Sequence, residues 1–240
     1  MFVPIHDDNP LKRIRFQYVT LFLVALNVAI FVFESLALDY PAIASFGIVP
    51  VQLFHAAMMG GAVIEPGGVP VPERFTLVTY MFLHNDIVHL FGNMLFLWVF
   101  GDNVEDALGH VRFAVFYMAC GVTAGLAHAA MQPDSTVPLI GASGAVAGVI
   151  SAYLMLHPSI RVWVLALKII PLRISALLAL GAWILSQIVM VLMPQAGPIA
   201  WWAHIGGLVA GAILVLFMRQ PGVALFERTE PAAPPPQSPA

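Results

Sequence analysis

The sequence predicts an all-α integral membrane protein with six transmembrane helices. Of its 240 residues, 60% are hydrophobic and only 10% are charged, whereas a soluble domain carries about 25% charged residues. Because a membrane-spanning helix needs roughly 20 residues, the chain can hold six spans and still leave loops and tails. A mean hydropathy of +0.89 points the same way. These observations exclude a water-soluble enzyme.

The six predicted spans are apolar segments bounded by Pro, Gly and charged residues. They cover residues 17–38, 86–104, 111–131, 142–156, 173–193 and 199–218. The fourth segment is short for a span and follows the polar stretch 132–138. Since lipid cannot satisfy exposed backbone groups, we expect the first turn of this helix to lie in a water-filled hollow.

The rest of the chain divides into a segment at each end and one long loop. Residues 1–16 form an N-terminal segment, and residues 219–240 form a Pro-rich tail that we expect to be disordered. The loop at about residues 40–75 is too long for a simple connector and too apolar for water, so we expect it in the membrane interface. The apolar stretch 162–170 is interpreted as an interfacial lead-in to the fifth span.

The distribution of basic residues predicts the orientation of the chain in the membrane. If the N-terminus is cytoplasmic, nine of the ten Lys and Arg residues lie on the inner side, and only Arg74 lies outside. Cytoplasmic loops carry an excess of such residues. We therefore expect both termini in the cytoplasm and the protein in the plasma (inner) membrane.

Several classes of partner and site are excluded by composition. A net charge of −3 without a Lys/Arg cluster argues against nucleic acid. The single cysteine, Cys120, excludes an internal disulfide and a multi-cysteine metal site. The His-Glu-x-x-His pattern of zinc proteases does not occur, and Asp102 and Asp106 near a helix end are the only candidates for an aspartyl pair. We expect no metal site.

Polar residues near the outer ends of the second, fourth and sixth spans are the candidate site. Such residues are energetically costly inside a membrane, so their presence indicates a functional role. His89 and Asn93 lie four residues apart in the second span and share one helical face. Ser143 begins the fourth span and His204 lies near the start of the sixth. All three spans run in the same direction, so these side chains are expected to meet at one depth.

The chemistry of acyl transfer fits these residue types. His204 could take the proton of Ser143 and make its hydroxyl a nucleophile. The backbone N–H of Ser143, at a helix N-terminus, and the side chains of His89 and Asn93 are candidate donors to the oxyanion. Small residues allow the fourth and sixth helices to approach closely; they include Gly144, Gly207 and Gly211.

Together these motifs resemble the rhomboid family of intramembrane serine proteases. The matching patterns, over roughly residues 15–218, are GxSG at 141–144, HxxxN at His89 and Asn93, AHxxGxxxG at 203–211, and ExxxG at Glu105 and Gly109. The resemblance implies a six-transmembrane-helix rhomboid-like bundle and a Ser143–His204 dyad without an acidic third member. It also implies an oxyanion site formed with His89 and Asn93. Cleavage of membrane proteins in or beside their transmembrane segments, without a cofactor, is the implied activity.

The chain departs from the family pattern at two positions. Many members have an aromatic residue four positions after the nucleophile, beneath the catalytic histidine, where this chain has Ala147. We expect another ring, such as Tyr153 or Trp202, to orient His204. The Trp-Arg pair of the first long loop is replaced by Glu73-Arg74.

Two other functions fit part of the sequence. A catalytically silent rhomboid-like protein that binds or chaperones membrane helices would share the fold, but its signature would be a missing serine or histidine. A small-solute transporter would show inverted repeats and broken helices, which are not visible here. Taken singly, Ser143 could be a packing residue and Asn93 a tie between helices.

Overall fold

A computed structural model describes residues 2–59, 71–166, 169–193 and 200–227. In this part of the chain, the helices are α1 (Tyr18–Ala37), α2 (Tyr40–Ala44), α3 (Pro50–Met59), α4 (Glu73–Thr79), α5 (Ile87–Leu108), α6 (His110–Met131), α7 (Ser143–Leu156), α8 (Ala176–Val191) and α9 (Trp201–Met218). A 3₁₀ turn, Tyr80–Phe82, follows α4. The strands are β1 (Phe2–Asp7), β2 (Arg161–Ala166) and β3 (Ile170–Ser175).

Each of the six predicted spans corresponds to a helix of the structure, namely α1, α5, α6, α7, α8 and α9. In the described part of the chain, α1, α5, α6 and α9 are long and apolar enough to cross a membrane, and α7 and α8 are shorter apolar helices. The predicted helical membrane bundle is therefore confirmed, and the chain is an integral membrane protein. The short fourth span is α7, which begins at Ser143.

A three-stranded antiparallel sheet at one end of the bundle was not predicted. β2 lies in the middle and pairs with β1 and β3. Its buried residues Val162 and Val164 alternate with the exposed Arg161 and Trp163, which is the period of a strand with one buried face. The interpretation of residues 162–170 as an interfacial lead-in did not include these strands, because overall hydropathy hid the alternation and because the partner β1 is distant in sequence.

The two ends of the described chain fold onto the same end of the bundle. Near the end of α5, Asp106 accepts hydrogen bonds from consecutive backbone amides, those of Lys12, Arg13 and Ile14. Beyond α9, the N–H groups of Phe226 and Glu227 donate to carbonyls of the last turn of α7. Residues 219–227, expected to be disordered, are thus hydrogen-bonded to the bundle. The remaining tail, 228–240, lies outside the described residues.

The long loop between the first two spans is linked to the segment that precedes α7. Ile48 and Leu139 exchange two backbone hydrogen bonds, of 3.0 and 2.7 Å. Glu73 opens α4 as a buried residue, and burial raises the pKa of its carboxyl. The guanidinium of Arg74 lies 5.2 Å from the centre of the Phe75 ring. Residues 60–70 of the predicted interfacial loop lie outside the described residues.

Glycines let α7 and α9 pack with their backbones in contact. A Cβ atom on Gly207 would overlap the carbonyl oxygen of Gly144, and one on Gly211 would overlap that of Gly148. On its other side, a Cβ on Gly144 would lie 2.5 Å from the Cβ of Ala124 on α6. Such small-residue contacts hold membrane helices together without a hydrophobic driving force. They set the distance between Ser143 on α7 and His204 on α9.

Candidate active site

Ser143 and His204 are in hydrogen-bond contact. The Nε2 atom of His204 lies 2.9 Å from the hydroxyl oxygen of Ser143. Ser143 is the first residue of α7 and His204 lies in the first turn of α9. His204 is buried, whereas the serine is partly exposed. A serine that faces an imidazole nitrogen at this distance can transfer its proton as it attacks a carbonyl.

The start of α7 presents backbone N–H groups next to Ser143. Gly141 has a φ of +127°, a conformation that only glycine adopts without strain. Its N–H donates to the carbonyl of Tyr80 at 2.9 Å, which anchors the turn. The N–H groups of the first helical turn have no acceptor within the helix and carry the positive end of its dipole. This end of α7 therefore favours negative charge.

His89 and Asn93 of α5 face this turn. A Cβ on Gly141 would lie 2.8 Å from Nε2 of His89 and 3.9 Å from Nδ2 of Asn93. Asp86 caps α5 by accepting the N–H groups of Val88 and His89, at 2.8 and 2.9 Å. The sequence-predicted site residues Ser143, His204, His89 and Asn93 thus surround one end of α7.

His84, just before α5, contacts the amide of Asn93. The two side-chain nitrogens lie 3.1 Å apart, and the rings of His84 and His89 are 5.1 Å apart between centroids. Burial lowers the pKa of His84 to about 4, so the ring is neutral at pH 7. A neutral imidazole nitrogen can accept the hydrogen bond that the Asn93 amide donates. The carbonyl oxygen of that amide then points away from His84.

A further polar residue, Gln187 of α8, lies on the other side of His204. Its Oε1 atom is 2.7 Å from Nδ1 of His204. The side chain is buried, with 4% of its surface exposed. Sequence analysis missed this residue, although a polar side chain in an apolar span is itself a signal of function. Its neighbour Ser186 is also polar, but the Ser-Gln pair matches none of the motifs that identified the other site residues.

Two tryptophan rings, rather than the expected ones, lie against His204. The centroid of Trp183 is 6.1 Å from that of His204 with planes tilted by 33°, and Trp201 meets it edge-on at 5.8 Å. The expectation for Tyr153 was wrong. Tyr153 lies ten residues after Ser143, roughly 15 Å along the helix, and its hydroxyl donates to Asp7 at 2.5 Å. For Trp202, the described structure gives no ring contact with His204.

The ExxxG motif lies at the opposite end of α5 from His89. The carboxylate of Glu105 is fully buried and accepts the N–H groups of Val19 and Thr20, at 3.0 and 2.8 Å, and the Thr20 hydroxyl at 2.7 Å. Nδ1 of His110 lies 2.5 Å from it. Gly109, with a φ of +82°, makes the turn between α5 and α6. This motif ties the start of α1 to the end of α5.

The residues of the site do not form a metal-binding group. In residues 2–59, 71–166, 169–193 and 200–227, no three His, Cys, Asp or Glu side chains come together in a group able to hold a metal ion. The side chains around the start of α7 are a hydroxyl, three imidazoles and an amide.

Comparison with known proteins gives a family match over most of the chain. The family model described as the Rhomboid domain matches residues 72–221. RHOMBOID-like protein 6, mitochondrial, of Arabidopsis thaliana is 31% identical over 150 residues, 62% of this chain and 45% of that protein. Rhomboid protease GluP of Bacillus subtilis is 39% identical over 89 residues, 37% of this chain and 17% of its own.

A fungal relative gives a similar match. Rhomboid protein 1, mitochondrial, of Saccharomyces cerevisiae is 28% identical over 148 residues, 60% of this chain and 41% of its own. The matches with these three relatives therefore span less than half the length of each of them.

Proposed function

Since the chain belongs to the rhomboid family, we propose that it is an intramembrane serine protease that hydrolyses peptide bonds in or next to transmembrane segments of membrane proteins. The observation that carries the proposal is the 2.9 Å contact between His204 Nε2 and the Ser143 hydroxyl. A protease among the similar proteins, GluP, supports the same activity.

In the proposed reaction, Ser143 is the nucleophile and His204 is the general base. The imidazole takes the hydroxyl proton as the serine oxygen attacks the carbonyl carbon of the substrate. It then gives this proton to the leaving amine as the peptide bond breaks, which leaves an acyl group on Ser143. Water, activated by the same imidazole, hydrolyses the ester and restores the free serine.

The proposed oxyanion site lies at the start of α7. The N–H of Ser143 is free for this role, because it is in the first turn of the helix. His89 and Asn93 approach the same turn at Gly141 and are the proposed side-chain donors. Removal of one such donor typically reduces the rate about 10²- to 10³-fold.

The proposed orientation has both termini in the cytoplasm and the site open to the other side of the plasma (inner) membrane. The N-terminal segment and the residues after α9 lie at the same end of the bundle, where α5 and α7 end, which supports placing them on one side of the membrane. At this end, Lys12 forms an ion pair with Glu227 at 2.7 Å. Ser143 begins α7 at the other end. The loop at about residues 40–75 is proposed to lie in the interface on the side of the site.

The proposed partners are transmembrane protein substrates within the lipid bilayer, with no nucleic acid, metal or cofactor. A peptide bond inside an intact helix is shielded by its backbone hydrogen bonds. A substrate segment must therefore unwind locally before it reaches Ser143.

The experiment that tests this function is labelling of the purified protein in detergent by a fluorophosphonate, which reacts with activated serines. We expect labelling of the wild type and none of Ser143→Ala or His204→Ala. The matched control is Ser151→Ala, because Ser151 lies on the same helix but its hydroxyl donates to the Gly148 carbonyl at 3.0 Å. Absence of labelling in well-folded wild type would favour the alternative, a catalytically silent rhomboid-like protein that binds membrane helices.

A further inference from the structure

We infer that Gln187 is a positioning residue for His204, holding the imidazole in the tautomer that can accept the proton of Ser143. This inference rests on the proposed protease function. It gives the site a third member that is uncharged and that comes from a different helix, α8.

The orientation of the Gln187 amide follows from its contacts on α8. Its Nε2 atom lies 3.1 Å from the carbonyl oxygen of Trp183 and 2.9 Å from the hydroxyl of Ser186. The Ser186 hydroxyl donates in turn to the Trp183 carbonyl at 2.6 Å. A carbonyl oxygen can only accept, so the amide group that faces it must be the NH₂. The amide oxygen therefore points towards His204.

The amide oxygen then decides which nitrogen of His204 carries the proton. Oε1 of Gln187 lies 2.7 Å from Nδ1 and can only accept, so Nδ1 must be protonated. A neutral imidazole has one ring proton, so Nε2 is left with a free lone pair. That lone pair faces the Ser143 hydroxyl at 2.9 Å. From Ser143 through His204 and Gln187 to the Trp183 carbonyl, each group then donates a hydrogen bond to the next.

An uncharged partner suits a membrane. The Gln187 side chain is buried and its amide is hydrogen-bonded at both ends, which offsets the cost of placing it in an apolar span. A carboxylate at the same place would carry a much larger desolvation penalty while His204 is neutral. The amide orients the ring and selects its tautomer without adding a charge.

Trp183 and Gln187 together take the place of the aromatic residue that the chain lacks at Ala147. Trp183 precedes Gln187 by four residues, so both side chains lie on one face of α8. The Trp183 ring lies beside the His204 ring, and the Gln187 amide binds its edge. In this chain α8 therefore supplies the contacts that orient the imidazole, and α7 needs only a small residue at Ala147.

The test compares Gln187→Met, which keeps length but loses the acceptor, with Gln187→Glu, which keeps an acceptor. Leu185→Met is the matched control, because it places the same residue type at an exposed position on α8. We expect Gln187→Met to slow fluorophosphonate labelling about 10- to 100-fold, by analogy with the loss seen when a metal-binding histidine loses its hydrogen-bond partner. Gln187→Glu should recover most of the rate, and Leu185→Met should stay close to wild type.

A second readout is the ¹⁵N spectrum of the His204 ring, assigned by its loss in His204→Ala. The wild type should show a protonated Nδ1 and an unprotonated Nε2, and Gln187→Met should shift towards the other tautomer. A wild-type spectrum with a protonated Nε2, or a Gln187→Met variant that labels at the wild-type rate, would overturn the inference. If wild-type protein does not label at all, the protease proposal fails, and the ring spectrum still decides the role of Gln187.

Discussion

Helices α7 and α8 lie on either side of His204 and contact its helix, α9, in different ways. Against α7, glycines bring the backbones into contact, and a single added carbon on Gly207 would overlap a carbonyl oxygen. Against α8, the contacts with His204 come from the ends of two long side chains, Trp183 and Gln187. α8 also has many exposed apolar side chains, among them Leu177, Leu178, Leu185, Ile188 and Val189.

This difference separates two properties of the site. The contact between α7 and α9 sets how far His204 stands from Ser143, because backbone atoms in contact cannot adjust. The contact with α8 sets the orientation of the imidazole ring. This contact is made by side chains, which can change rotamer without moving a helix. We therefore expect changes at the first interface to affect stability and activity together, and changes at the second to affect activity alone.

The largest effect should follow Gly207→Ala. The added carbon meets the Gly144 carbonyl and forces α9 away from α7. We expect the free energy of unfolding to fall by about 2 kcal/mol or more, as for overpacked cores, and labelling to fall to the level of Ser143→Ala. Thermal unfolding in detergent and labelling measure both.

The control for that change is Gly181→Ala on α8, where an added carbon has nothing within 4 Å. It should leave labelling unchanged and should not lower the free energy of unfolding, because alanine favours a helix more than glycine does. Equal destabilisation by the two variants would contradict the difference between the two interfaces.

A smaller effect, mainly on activity, should follow Asn93→Ala. Asn93 reaches the turn before Ser143 from α5. We expect labelling to slow about 100-fold, because one oxyanion donor is lost. The unfolding temperature should fall less than in Gly207→Ala, because only the hydrogen bond to His84 is removed. Asn85→Ala, at an exposed position before the same helix, is the control. A wild-type rate in Asn93→Ala would remove this residue from the proposed oxyanion site.

Restoring an aromatic residue with Ala147→Phe should not improve the site. Ala147 is fully buried, and its Cβ would stand 3.4 Å from a Cβ at Gly207. A larger side chain must push against α9, so we expect a loss of about 1–3 kcal/mol. Val209→Phe, at an exposed position on α9, serves as control. Faster labelling in Ala147→Phe would show that α8 does not replace the missing ring.

The smallest effect concerns the far end of α7, where Tyr153 donates to Asp7 of β1. Burial raises the pKa of Asp7 from 3.8 to about 6, although the hydrogen bond from Tyr153 acts to lower it. The folded protein therefore binds a proton more readily than the unfolded chain, and this contribution to stability is present at low pH and is lost as the pH rises through 6.

Between pH 7 and pH 5 the wild type should gain about 1 kcal/mol relative to Asp7→Asn. The unfolding temperatures of the two proteins are measured at both pH values. Groups that titrate equally in both proteins cancel when the two are compared. Fluorophosphonate labelling should be equal in the two proteins at pH 7, since Asp7 lies at the opposite end of α7 from Ser143. The prediction fails if Asp7→Asn keeps the full pH dependence of the wild type.

Local patterns in the sequence were sufficient for the spans and for four of the side chains around α7. Hydropathy alone located the six helices, because a membrane span requires a long apolar segment. Motif spacing located His89, Asn93, Ser143 and His204, because each lies near the same end of its span. The glycines of α7 and α9 were likewise visible as small residues at helical spacing.

Only the tertiary structure decided which elements meet across long stretches of sequence. The pairing of β1 with β2 joins segments more than a hundred residues apart, and a strand pattern by itself does not name its partner. In the same way, Gln187 was one polar residue in an apolar span, and its bond to His204 depends on how α8 is rotated against α9. Periodicity determines which residues share a face, but the packing of whole helices determines what that face touches.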